Sequence, residues 1–203
     1  PTLLKHASPE GSLTKMVEYY RAPGGQSPSS PPQDWCQLID FDPEGEDKVL
    51  AAVLYHQGGM TFNEALETVH SSPVEQKNLQ AERLLGQLGE HDTVPRELEH
   101  TAYLFDLVID QGGYAEFKRH RMMTQTPQAL TTNLGYAIPR QVVLAGIEHQ
   151  YRSTMQLAAE AYERLSEWNP QVASYVVPNG YKRRILFSLN LREAFVFCKL
   201  RSA

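Results

Sequence analysis

Cysteine is scarce. The two in 203 residues, Cys36 and Cys198, lie far apart and form no C-x-x-C pair, which excludes a disulfide framework and a thiolate zinc site. Reduced, buried thiols are the expectation. Long hydrophobic runs are missing too: no apolar stretch approaches the ~20 residues that cross a bilayer, so no membrane association is expected. Basic residues show no excess, with 19 Lys and Arg against 24 Asp and Glu and a formal charge of -5. That balance excludes coating a nucleic-acid polymer, which needs a concentrated cationic face, while a local basic cluster still suits a single nucleotide. The sequence also lacks G-x-G-x-x-G, a phosphate loop of the G-K-[ST] kind, H-E-x-x-H and G-x-S-x-G. The common dinucleotide, triphosphate, metalloprotease and serine-hydrolase signatures are thereby set aside, and no metal site is expected.

Pro1 is followed by no cationic, apolar leader, so a cytoplasmic location is expected. The chain ends at Lys199-Leu200-Arg201-Ser202-Ala203, directly after an apolar stretch and without a glycine or proline stop, the pattern of a fragment of a longer chain. Length favours one domain. Residues 1–35 read as an N-terminal extension, a short amphipathic piece followed by the linker chemistry of 22–32. Residues 36–203 read as the domain, incomplete at its C-terminal end.

Within that domain Gln37–Phe41 reads as a strand, and Asp42-Pro43-Glu44 as the cap of a helix running through Val49, Ala52, Val53 and His56. A surface helix is predicted from Ser72 to Leu88. The run from Thr101 to Ile109 alternates in bulk, placing Tyr103, Phe105, Leu107 and Ile109 on one side of a strand. From Arg140 to Trp168 the residues Val143, Ile147, Tyr151, Thr154, Ala158, Tyr162 and Leu165 recur at three and four, predicting one continuous helix. Lys182–Leu189 reads as a strand and Asn190–Leu200 as a final apolar helix. No strict strand-helix repeat runs through the chain, so the class is α+β.

Chemistry concentrates in a few places. Lys118-Arg119-His120-Arg121 places four potential cations in a row after Gly112-Gly113 and before a turn region at Pro127. In an extended segment Arg119 and Arg121 would share one face, two planar forks suited to a pyrophosphate, with His120 on the other. A solvated charge run is the plainer reading of such a tripeptide taken alone. Asn190 and Arg192 open the last helix, where an anion is favoured, and Arg201 lies near its end. Nine residues separate the two arginines, about two and a half turns, too far to share one small phosphate; surface arginines flanking a packed helix are the plainer alternative. His100, after Glu99, is a candidate acid or base or a residue closing a core. No catalytic residue is assigned.

Taken in order, Glu99-His100 before an aromatic strand, Arg119-His120-Arg121, Asn190-x-Arg192 and then Arg201 resemble the motif set of the flavin-dependent thymidylate synthases, from about Cys36 onward. The resemblance implies an α+β fold with an antiparallel sheet and flanking helices, and FAD held between subunits of a homotetramer or a tandem-domain dimer. It implies that Arg119, His120, Arg121, Asn190 and Arg192 contact the flavin, and that Arg201 meets the phosphate of deoxyuridylate or an analogue. The reaction it implies moves a methylene from methylene-tetrahydrofolate to deoxyuridylate, with hydride from NADPH through the flavin. The chain departs from the family pattern where Ala129 replaces a serine near the pyrimidine, and where Thr131 and Ser174 replace arginines. Two lost guanidiniums remove charge-assisted bonds of about 1.5–3 kcal/mol each. Two readings therefore stand: an enzyme of this kind with an altered pocket or another acceptor, and a degenerate flavin-binding or structural domain. A helical interaction protein without a ligand is a third, but it leaves the arginine motifs unexplained.

Overall fold

The computed structural model describes residues 35–201, except Gln87 and Glu90. The N-terminal extension, apart from Trp35, lies outside the described residues. The domain is built on a four-stranded antiparallel sheet in the order β1-β2-β4-β3, formed by β1 (Cys36–Phe41), β2 (Ala102–Asp110), β3 (Thr124–Pro127) and β4 (Lys182–Asn190). The class is α+β, as the sequence predicts.

The two-residue period of β2 sets the sheet's inner face. Leu107 and, across from it on β4, Ile185 are almost fully buried. Phe105 and Phe187 are paired in register, and their rings stack at 5.1 Å, an aromatic cross-strand pair that adds to simple burial. Tyr103 and Ile109 pack against the same cluster, so the alternation read from the sequence marks the inner face correctly. On the opposite face Arg184 pairs with Asp106 at 2.7 Å. The sequence reading missed β3. It is a four-residue edge strand ending in proline, and an edge is where a sheet tolerates a missing N–H.

Two helices close the inner face: α4 (Gln111–Phe117) through Tyr114 and Phe117, and α8 (Leu191–Arg201) through Ala194 and Phe197. Beside the sheet, α1 (Gly45–Gln57) buries Leu50 and Ala51 against Ala65 and Val69 of α2 (Phe62–Ser71). The sequence reading had no α2. Its signal is a capping box, in which Thr61 accepts from the Glu64 N–H and Glu64 accepts from the Thr61 N–H. Asp42 does not cap α1 as predicted: it accepts from the Glu44 N–H at 3.0 Å and from Lys48 at 2.6 Å, one turn too early for the helix's own donors. Gly45 opens α1 because a Cβ there would lie 2.1 Å from Thr101 Oγ1. This close approach seats α1 beside the 3-10 turn Arg96–His100. The surface helix predicted from Ser72 is α3 (Val74–Leu85), two residues shorter at its start because Ser72 and Pro73 are extended.

The single helix predicted from Arg140 to Trp168 is two, α5 (Arg140–Leu144) and α6 (Glu148–Trp168). Gly146 adopts φ +70° between them, and the Gly146 and Ile147 N–H groups fold back to the carbonyls of Val143 and Val142, a left-handed helix terminus that only glycine adopts without strain. The break turns Val143 and Ile147 outward, while Tyr151, Met155, Ala158 and Tyr162 pack with Tyr181 and Val177. The stub α7 (Pro170–Ala173) follows, capped by Asn169. No helix among the described residues is long and apolar enough to cross a membrane.

Candidate functional site

Arg119-His120-Arg121 forms a tight turn, not the extended clamp the sequence allowed. The Arg119 N–H reaches the Glu116 carbonyl at 3.2 Å and the His120 N–H reaches the Phe117 carbonyl at 2.9 Å, so the chain winds off the end of α4. The turn sends His120 inward, 7% exposed, edge-on to Phe197. Its Nδ1 lies 3.0 Å from Glu193 Oε1 on α8. Arg119 and Arg121 remain at the surface. Arg119 stands 3.5 Å from Glu116, and Arg121 has no hydrogen bond or ion pair among the described residues.

At the end of α8, Arg201 donates from Nε to His120 Nε2 at 3.3 Å, and its Nη1 pairs with Glu116 Oε2 at 2.8 Å. Arg119, His120, Arg201 and the carboxylates Glu116 and Glu193 therefore form one polar cluster where α4 and α8 converge. Glu116 and Glu193 were not singled out in the sequence. Glu116 stands three residues before Arg119, a helical pairing distance that offered a signal. Glu193 lies 73 positions from His120 and offered none.

Asn190 and Arg192 sit at the other end of α8, some ten residues and roughly 15 Å away along the helix axis. Asn190 Oδ1 accepts the Glu193 N–H at 2.8 Å, so this side chain caps the helix itself. Arg192 donates to the Val94 carbonyl and to Glu99 Oε1, both at 2.9 Å, tying α8 to the 3-10 turn. The Arg96 guanidinium, with Arg192 behind it, holds Glu99 below the ordinary carboxylate value. Arg192 and Arg201 thus stand at opposite ends of one helix, while Asn190 is joined to His120 through Glu193, whose N–H it caps and whose carboxylate meets the imidazole.

Two hollows accompany these groups. Near Arg192's partner Glu99, an open hollow of about 880 Å³ is lined by His100, His56, Glu97, Tyr55 and Phe62 among others. Within it His56 Nδ1 lies 2.5 Å from Glu97 Oε1, and this bond holds the Glu97 carboxyl below its usual range. His100 is exposed at the hollow's wall and closes no core. Between α8 and the sheet lies an apolar hollow of about 370 Å³, lined by Phe105, Phe117, Phe197 and both cysteines. The expectation of two buried thiols is corrected: Cys36 is half-buried, its pKa raised by burial and by Asp106, and Cys198 is exposed.

None of the three replaced positions carries charge. Ala129 is exposed after β3, Thr131 accepts the Asn133 N–H at 3.3 Å, and Ser174 donates to the Gln171 carbonyl at 2.7 Å.

The fold is similar to that of a UMP/dUMP methylase, PolB, from Streptomyces cacaoi bound with 5-Br dUMP, at TM-score 0.64 and 16% identity, covering 82% of this chain and 77% of that one. It is also similar to thymidylate synthase X of Helicobacter pylori with FAD and dUMP, at TM-score 0.58 and 18% identity, covering 83% and 84%. Among curated proteins, a UPF0159 protein of Chlamydia muridarum is 35% identical over 167 residues, and one of Chlamydia pneumoniae 32% identical over 168. These matches take in 82% of this chain and 32% of each relative, so the chain spans about a third of their length. Residues 37–203 match the family described as thymidylate synthase complementing protein. The chain belongs to that family, the flavin-dependent thymidylate synthases.

Proposed function

We propose that this domain binds FAD and serves a thymidylate-synthase-like methylation of deoxyuridylate, with methylene-tetrahydrofolate and NADPH as co-substrates. The observation that carries this reading is the turn at the end of α4. Arg119 and Arg121 stand outward on it, and Arg121 has no partner among the described residues. Exposed guanidiniums fit a flavin's diphosphate, because their planar donors match phosphate oxygens bidentately. A bound flavin would supply the hydride step. The chain's own part is to hold it: Arg119 and Arg121 would face the diphosphate, and His120, fixed by Glu193, would buttress the turn. Arg201 would meet the nucleotide phosphate, while Asn190 and Arg192 would order the far end of the flavin wall. The two similar solved proteins carry dUMP or its bromo analogue, and one carries FAD, which supports this ligand class. The proposed active unit is a homo-oligomer, a tetramer or tandem-domain dimer acting in the cytoplasm, with residues 1–35 as an extension to the domain.

A second reading is favoured by one observation. The side chains of His120, Asn190, Arg192 and Arg201 all have partners inside the chain, and Thr131 and Ser174 bring no cation. These are the features of a domain that keeps the fold while its substrate side has lapsed. Visible absorbance of the purified chain with added FAD, followed by deoxyuridylate, separates the two. A flavin band that shifts with the nucleotide supports the synthase-like reading, and a flavin band indifferent to it supports the lapsed substrate side. A chain that takes up no FAD rejects the flavin reading altogether.

A further inference from the structure

Glu116 reaches two arginines on different elements. One carboxylate oxygen lies 3.5 Å from Arg119 Nε on the turn, and the other 2.8 Å from Arg201 Nη1 on α8. Arg201 is held from its other side by the hydrogen bond to His120 Nε2. A carboxylate between two guanidiniums presents the acceptor chemistry of two phosphate oxygens. It also leaves the pair with one net positive charge where two would face a phosphate. The contact is solvent-exposed, with side-chain exposures of 44% for Glu116, 35% for Arg201 and 72% for Arg119. Exposed ion pairs of this kind hold weakly and are displaced readily.

We propose that Glu116 is a specificity-determining residue: an internal anion that occupies Arg201, with Arg119 at its other oxygen, and competes with the phosphate group of a ligand for Arg201. The identity of that ligand as a nucleotide rests on the proposed function, whereas the competition itself requires only the three side chains. A dianionic phosphate must displace the carboxylate from Arg201 or bind beside its charge, and both lower affinity. Arg201 is then available to ligands that outcompete Glu116, and weak anions are screened out.

The test titrates inorganic phosphate into the whole chain, its Glu116→Gln variant and the Glu116→Gln, Arg201→Ala double variant, by calorimetry at low ionic strength. Glutamine keeps the size of the side chain on an accessible helix face and removes the charge. The expected result is that Glu116→Gln binds phosphate about two- to fivefold more tightly than the parent, as an exposed ion pair allows, that the gain disappears without Arg201, and that it shrinks in high salt. Equal behaviour of parent and Glu116→Gln, absence of binding in both included, overturns the proposal. So does a gain that survives loss of Arg201. FAD uptake by the same samples is read separately: a phosphate gain without flavin binding rejects the proposed function and keeps the role of Glu116, while flavin binding without a phosphate gain does the reverse.

Discussion

His120 and Glu193 stand 73 positions apart in sequence and meet inside the fold, Nδ1 to Oε1 at 3.0 Å, with side chains only 6% and 10% exposed. The Arg201 Nε–H points at His120 Nε2. A guanidinium only donates, so Nε2 carries the lone pair and Nδ1 the proton, which Glu193 accepts. This fixes the ring's orientation and ties the turn after α4 to α8. Replacing Glu193 by Ala should leave a buried N–H without an acceptor and cost about 1–3 kcal/mol, while Glu193→Gln, which keeps an acceptor oxygen, should cost less than half of that. Urea denaturation of the three proteins measures both; an alanine variant as stable as the parent would contradict this account of the pair.

Glu97 is held below the ordinary carboxylate value by the His56 hydrogen bond. A carboxylate with a lowered folded value contributes stability that is fully present above its unfolded value of about 4.3 and is lost as pH falls through the folded value. The stability difference between the parent and Glu97→Gln should therefore be largest above about pH 5 and close as the pH is lowered toward 3. Thermal unfolding across that range checks it, and a difference that widened in acid would reverse the sign and refute the assignment.

Gly146 holds φ +70°, and a Cβ added there would meet nothing within 4 Å, so backbone strain alone decides what can replace it. Gly146→Val should destabilise by about 1–2 kcal/mol and Gly146→Asn by less, since asparagine tolerates the left-handed region. Chemical denaturation of the two variants beside the parent measures both. Equal stability of the valine variant would mean that α5 and α6 rejoin without cost.

These residues show how far the sequence could be read. The inner face of β2 was legible because alternation over nine residues leaves little choice of register, and the ordered arginine motifs were legible as a family pattern. The break at Gly146 was hidden by the apolar spacing on either side of it, which continues as though the helix did; the glycine itself was the signal. β3 is too short for a period to show, and Pro127 reads as a turn signal; only the edge position lets a proline end a strand. The turn at Arg119-His120-Arg121 was undetermined, because local spacing carries no information on the burial of His120 by Glu193 and Phe197. The partners of Arg192 and Arg201 were equally out of reach, since Val94 and Glu116 lie 98 and 85 positions from them.

An FAD titration followed by visible absorbance and flavin fluorescence decides whether this domain holds a flavin through the turn after α4. The parent chain should bind FAD saturably, and affinity should fall at least roughly tenfold when Arg119 and Arg121 are both replaced by Ala while the fold persists, since two charge-assisted contacts are removed. A double variant that binds FAD as the parent does, or a parent chain that binds none, would contradict it.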